Sequence, residues 1–209
     1  MDERIITGEA CIAEGADWLV RVEPRFGPVL AATGPWPLRL RPGGYPALVD
    51  AIVSQQVSVA AAAAIAARVR EAGFHDPAIA RLADDDALRA CGLSRPKARY
   101  VKALAGAGID FDALDRAPTD EVIARLVAVP GIGVWTAEIY ALFSLGRADA
   151  FPAGDLALQE AARLLFDLPD RPRDRALRQL AEGWRPWRGV AARALWAYYR
   201  VAKDREGTL

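Results

Sequence analysis

Apolar residues recur along this chain at intervals of three and four, in runs interrupted by Gly, Pro and short clusters of Asp or Ser. That is the period of a helix with one face turned inward. The spacing predicts helices over Ile5–Val22 and Pro24–Ala32, then Tyr45–Ser54 and an alanine-rich Ser58–Arg70. Asp84-Asp85-Asp86 reads as an acidic start for Ala87–Ala90, followed by a helix over Ser94–Ala105. A helix entered at Thr119, with Val122, Leu126 and Val129 in register, gives way at Pro130 to a second one carrying Val134, Ala137, Ala141, Phe143 and Leu145. Helices over Leu156–Phe166, Arg173–Glu182 and Trp187–Ala202 complete the pattern. No run alternates convincingly with period 2, so the expected fold class is all-α.

Composition supports a globular chain: 209 residues, 53% of them hydrophobic, with six Trp, are enough to bury a core without covalent staples. Charge narrows the options. The formal net charge is zero, so no whole-molecule field draws the protein to an anionic partner, and any contact with nucleic acid must be local. The segment from Arg163 to Arg205, where basic residues outnumber acidic ones, is the expected phosphate-facing surface. The helix carrying Arg95, Lys97, Arg99 and Lys102 reads as a solvated face, with contact to a DNA backbone as the alternative. Cys11 and Cys91 are far apart and lack metal-ligand spacing, so neither a disulfide framework nor a cysteine metal site is expected. The N-terminus has no signal-like apolar core and the Val57–Ala67 run is too short to span a bilayer. The expectation is a soluble cytoplasmic protein without a membrane partner. His75, the sole histidine, follows a helix end and is assigned no role.

The chemistry gathers between Val129 and Asp155. Pro130-Gly131-Ile132-Gly133 is a tight turn between two helices, in which Pro130 stops the first and the glycines permit positive φ and close approach of another backbone. The first amides of the following helix have no partner within it, which suits them to a phosphate. A G-x-G alone is equally the closing turn of an ordinary helical hairpin. Asp155 stands at the head of the next helix, where the helix dipole stabilises negative charge. An N-cap aspartate with no other role has the same appearance.

Three ordered motifs distinguish these readings: Arg41 to Ala62 (RPGGYPALVDAIVSQQVSVAAA), Val129 to Asp155 with its VPGIGVWTA and GD, and Trp184 to Trp196 (WRPWRGVAARALW). Together they resemble the helix-hairpin-helix DNA glycosylase superfamily, and in it most closely the 3-methyladenine DNA glycosylase II family, over about residues 36 to 200. The resemblance implies two helical subdomains, residues 43–147 with the hairpin at about 119–145, and residues 1–42 with 148–209, and an active site in the cleft between them. Longer members carry an extra N-terminal domain that the residues before Arg41 are too few to form, so a compact member is expected.

By resemblance, Asp155 is the catalytic acid, and Trp135 and Trp196 are base-pocket aromatics able to hold a cationic purine by cation–π contact. Ile139 and Tyr140 stand where a longer member has a further aromatic. Gln56, with Gln55 beside it, matches the residue that fills the gap left by an extruded base; without the resemblance the two amides would simply cap a helix junction. Pro130, Gly131, Ile132, Gly133 and Thr136 are the expected DNA-binding hairpin. The backbone carbonyls of Val127, Val129 and Gly131 are the expected ligands of a monovalent or similar cation. No cofactor is required, and an iron–sulfur cluster is excluded by the cysteine count. Bifunctional relatives keep a lysine where Trp135 stands, and no lysine lies between Lys102 and Lys203. The implied function is a monofunctional glycosylase, a monomer, that flips alkylated purines of the 3-methyladenine and 7-methylguanine type out of double-stranded DNA and hydrolyses their glycosidic bond. Two alternatives remain at this level: a non-catalytic damage-binding module, and a glycosylase for another damaged or mispaired base.

Overall fold

The structure, a computed structural model, describes residues 3–206. Its regular elements are α1 Glu9–Val22, α2 Phe26–Thr33, α3 Gly44–Ser54, α4 Val59–Glu71, α5 Pro77–Leu82, α6 Asp85–Ala90, α7 Arg95–Gly106, α8 Phe111–Arg116, α9 Thr119–Val127, α10 Val134–Phe143, α11 Leu156–Leu165, α12 Asp174–Ala181 and α13 Arg188–Glu206, with a 3₁₀ turn at Glu182–Trp184. The all-α expectation holds. Several helices open as the sequence predicts. Ser58 and Asp84 accept the amides of Ala61 and Ala87, so side-chain oxygens satisfy donors that the first turn leaves over.

Four differences from the sequence pattern are local. The first helix begins at Glu9 rather than Ile5, because Ile5 forms an antiparallel bridge with Arg147 and the Ile6 amide donates to the Gly146 carbonyl at 2.7 Å. A Cβ on Gly146 would lie 2.5 Å from the Ile6 oxygen, so glycine is what admits that extended segment. Thr119 is the first residue of α9, with Pro118 in the cap position. Leu145 lies past the end of α10. Helices α5 and α8, six residues each, have no counterpart in the sequence pattern, being too short to display a period.

The chain divides into two compact units, Met1–Leu40 with Ala141–Leu209, and Arg41–Tyr140, so the second division falls within α10. In the first unit α13 packs on α11, α2 and α1. Phe26 is its aromatic centre, meeting Trp36, Phe166 and Trp184 edge-on at centroid distances of 6.1, 6.3 and 5.4 Å. In the second unit α3 packs on α4 and α7, and α5 and α6 on α7, around fully buried Leu48, Ile52, Leu88 and Leu126. Each such side chain contributes roughly 1.5–3 kcal/mol of burial free energy. Among the described residues, no helix is long and apolar enough to cross a membrane.

Candidate active site and nucleic-acid interface

Asp155 is the N-cap of α11, as its position in the sequence predicts. Its backbone is fixed from behind: its amide donates to the Pro152 carbonyl at 2.9 Å, and the buried Gln159 side chain donates to the Ala153 carbonyl at 2.9 Å. Its Oδ1 accepts the amides of Ala157 and Leu158 at 2.9 and 3.1 Å and the indole N–H of Trp196 at 3.3 Å. Helix amides and an indole from a second helix thus aim one half-buried carboxylate. The amides bring the positive end of the α11 dipole to the acid, which suits it to face a developing cation.

Trp196 is itself held, since Phe143, at the end of α10, stacks on it at 5.7 Å with 30° between the planes. The structure therefore joins two residues picked out by sequence, Asp155 and Trp196, in one hydrogen bond. Neither Phe143 nor the groups behind it carried a sequence signal, because their partners lie tens of residues away.

The second unit presents the hairpin. Gly131 sits at φ +93°, and a Cβ there would lie 2.3 Å from the Tyr100 ring, so the glycine is required by the fold. Gly133 differs. It is not among the positive-φ glycines, and a Cβ there would meet nothing within 4 Å. The expectation that both glycines serve turn conformation holds for the first only; the openness at Gly133 is what an approaching backbone would use. The Gly133 carbonyl accepts the Ala137 amide and starts α10. Pro130 is exposed, and Ile132 and Thr136 are buried, the latter two as packing under the turn.

Trp135, in the first turn of α10, is 45% exposed. Ile139 is half-buried, whereas Tyr140 is an interior residue whose hydroxyl accepts the Gly44 amide at 2.8 Å.

Gln55 and Gln56 form the turn after α3, and the two amides do different things. The Gln55 side chain donates to the Gly131 carbonyl at 3.0 Å, tying this turn to the hairpin. Gln56 is exposed, with its backbone at φ +55°, a strained conformation for a residue with a Cβ. Lys97, expected on a solvated face, instead donates to the Val53 and Gln55 carbonyls at 2.8 and 2.6 Å. It thereby supplies the donors that the C-terminal carbonyls of α3 lack. Burial pushes the Lys97 ammonium below the usual lysine range.

Of the expected cation ligands, the Val129 carbonyl accepts the Ile132 amide at 3.1 Å and the Gly131 carbonyl accepts Gln55, while Val127 closes α9. Each carbonyl has two lone pairs, so neutral oxygens at a helix C-terminus still suit a hard cation. The arginine-rich segment after Arg163 is less open than its composition suggests. Arg163 pairs with Glu160, Arg178 with Asp174, and Arg185 and Arg188 with Asp149.

Comparison with known proteins bears on this geometry. The family model of the HhH-GPD superfamily base excision DNA repair protein matches residues 49–186. DNA-3-methyladenine glycosylase 1 of Schizosaccharomyces pombe is 35% identical over 167 residues, covering 76% of this chain and 73% of that protein. The crystal structure of a DNA-3-methyladenine glycosidase from Bacillus halodurans superimposes with a TM-score of 0.82 at 30% identity, over 98% of this chain and 95% of that one. The S. pombe 3-methyladenine DNA glycosylase in complex with abasic DNA gives 0.76 at 29% identity, over 91% and 97%. The chain belongs to the HhH-GPD superfamily of base excision DNA repair proteins and, in it, to the 3-methyladenine DNA glycosylase family.

Proposed function

We propose that this protein is a monofunctional DNA glycosylase that excises alkylated purines of the 3-methyladenine and 7-methylguanine type from double-stranded DNA, acting as a monomer. The observation that carries the proposal is Asp155, a carboxylate aimed by two helix amides and the Trp196 indole. The names of its relatives agree, as does the complex of one of them with abasic DNA.

An N-alkylated purine carries positive charge, so the electron pair of the breaking C1′–N bond leaves with a base that becomes neutral. The enzyme need not protonate the leaving group. What remains is the cationic sugar, and a carboxylate facing C1′ stabilises that charge and orients water. The water oxygen bonds to C1′, its proton passes to the carboxylate or to solvent, and the products are free base and an abasic deoxyribose. The indole faces of Trp135 and Trp196 suit a cationic ring. Gln56, exposed on a strained turn, would fill the space the base leaves, and the hairpin from Pro130 to Gly133 would take the phosphate. The carbonyls of Val127, Val129 and Gly131 would hold a cation, which would supply positive charge for a phosphate at the hairpin, and no step of the reaction passes through it.

Hydrolysis needs no cofactor. With Trp135 in the lysine position and no lysine from 103 to 202, strand cleavage through a Schiff base is not expected. The test is release of free base from alkylated duplex under single-turnover conditions, with strand integrity read before and after alkali. Wild type should release base and leave an alkali-labile site. Asp155→Asn should lose at least about a hundredfold in rate. Equal release by both proteins would overturn the assignment of Asp155, and absence of release by wild type would leave a damage-binding module.

A further inference from the structure

Arg193 is 1% exposed, the largest fully buried side chain of the first unit, and the mechanism above makes no use of it. A buried cation is costly unless its donors are satisfied. Here Nη1 donates to the Gly189 carbonyl at 2.7 Å, and Nη2 and Nε donate to the Leu38 carbonyl at 3.1 and 3.3 Å. The guanidinium carbon also stands 4.8 Å from the centroid of the Phe143 ring. Burial, with the like charge of Arg39 adding, pushes Arg193 down to about 10, still well above neutrality, so the group is a cation in use.

Phe143 stacks on Trp196, and Trp196 donates to Asp155. We propose that Arg193 is a positioning residue for Asp155, acting through Phe143 and Trp196: it pins the Phe143 ring, the ring sets the plane of the indole, and the indole sets the rotamer of the carboxylate.

The three hydrogen bonds give the guanidinium one orientation, which a simple hydrophobe of the same volume would not have. A planar cation 4.8 Å from the Phe143 centroid and an indole stacked on the same ring at 5.7 Å leave that ring little freedom to tilt. The indole N–H reaches Asp155 Oδ1 from α13, and the two helix amides reach the same oxygen from α11. A tilt of Trp196 therefore leaves the acid anchored to α11 but misaimed. This predicts a defect in rate with no defect in binding.

The proposal rests on Asp155 being the catalytic acid, and the experiment separates the two. Wild type, Asp155→Asn, Arg193→Met, Arg193→Lys and Phe143→Leu are compared by single-turnover base release at saturating enzyme. The active fraction of each is titrated with an abasic duplex. A merely structural role lowers the reaction amplitude and the active fraction but leaves the rate constant of the surviving molecules unchanged. Positioning lowers the rate constant itself. Arg193→Met should lose about ten- to a hundredfold in rate constant with abasic-duplex affinity unchanged, as expected for a small misplacement of a reacting group. Arg193→Lys keeps a cation over Phe143 and should recover part of the loss. Phe143→Leu should reproduce the defect, and the double variant should be no worse than either single. A rate constant within twofold of wild type for the Arg193 variants, or for Phe143→Leu should Arg193→Met not fold, overturns the proposal while Asp155→Asn remains inactive. If Asp155→Asn matches wild type, the underlying assignment has failed instead.

Discussion

The two glycines of the hairpin look alike as residues and do different work. Gly131 combines φ +93° with a neighbour, Tyr100, that would collide with any Cβ. Gly131→Ala should therefore cost about 2–4 kcal/mol, from left-handed strain plus overpacking, and lower the midpoint of thermal unfolding by several degrees. Gly133→Ala meets open space and should unfold within about 0.5 kcal/mol of wild type. If a DNA backbone approaches there, that substitution should nevertheless weaken binding to an abasic duplex several-fold. Unchanged affinity would remove Gly133 from the interface. The sequence marks both glycines and cannot tell them apart, because the deciding neighbour, Tyr100, lies on another helix. Asp155 was legible for the opposite reason: its partners Ala157 and Leu158 are local, so an acid at a helix start already states its geometry. Arg193 and Lys97 were not legible, since each acts on groups distant in the chain, Leu38 and Val53 among them.

At the scale of elements, the device of interest is the clamp that joins α3, α7 and the hairpin. Lys97 on α7 holds the last carbonyls of α3, and Gln55 reaches from the same turn to the Gly131 carbonyl. Between those two ties Gln56 is displayed on a strained backbone. Under the proposed function Gln56 enters the gap in the duplex, and a residue with that role benefits from being held rigidly, since ordering it during binding would cost side-chain and backbone entropy. Lys97→Met should keep the fold while lowering the preference for abasic over intact duplex about tenfold, the worth of a hydrogen bond to a charged group. Gln55→Ala should act in the same direction, and the two together should be less than additive. Competition binding with the two duplexes checks this, and an unchanged preference would reduce Lys97 to a helix cap. Long amphipathic helices such as α7, α11 and α13 were readable from their apolar period, with ends displaced by a residue or a few. The short α5 and α8 were not, and neither was the extended Ile5 segment, which exists only because Gly146 admits it.

For the molecule as a whole, the deciding quantity is charge: 27 basic residues balance 27 acidic ones. Counting basic residues after Arg163 points to a phosphate-facing surface, but folding pairs several of those arginines with Glu160, Asp174, Asp149 and Glu182. The more exposed of these pairs, Arg178–Asp174 and Arg185–Glu182, add little stability, yet every pair takes a positive charge out of the field a phosphate would feel. The groups assigned to DNA under the proposed function are neutral: backbone amides at the start of α10, the Gln56 amide and the Trp135 and Trp196 indoles. Neutral donors bind a phosphate without displacing its condensed counterions, so affinity drawn from them depends little on salt. Binding of an abasic duplex should accordingly fall with salt at a slope of roughly −2 to −4 in log K against log salt, against about −10 for a strongly cationic DNA-binding surface. Fluorescence titrations between low and physiological ionic strength would measure it. A slope steeper than about −6 would mean that DNA breaks those surface ion pairs and recruits their arginines, and Arg185→Gln should then flatten it by about one unit.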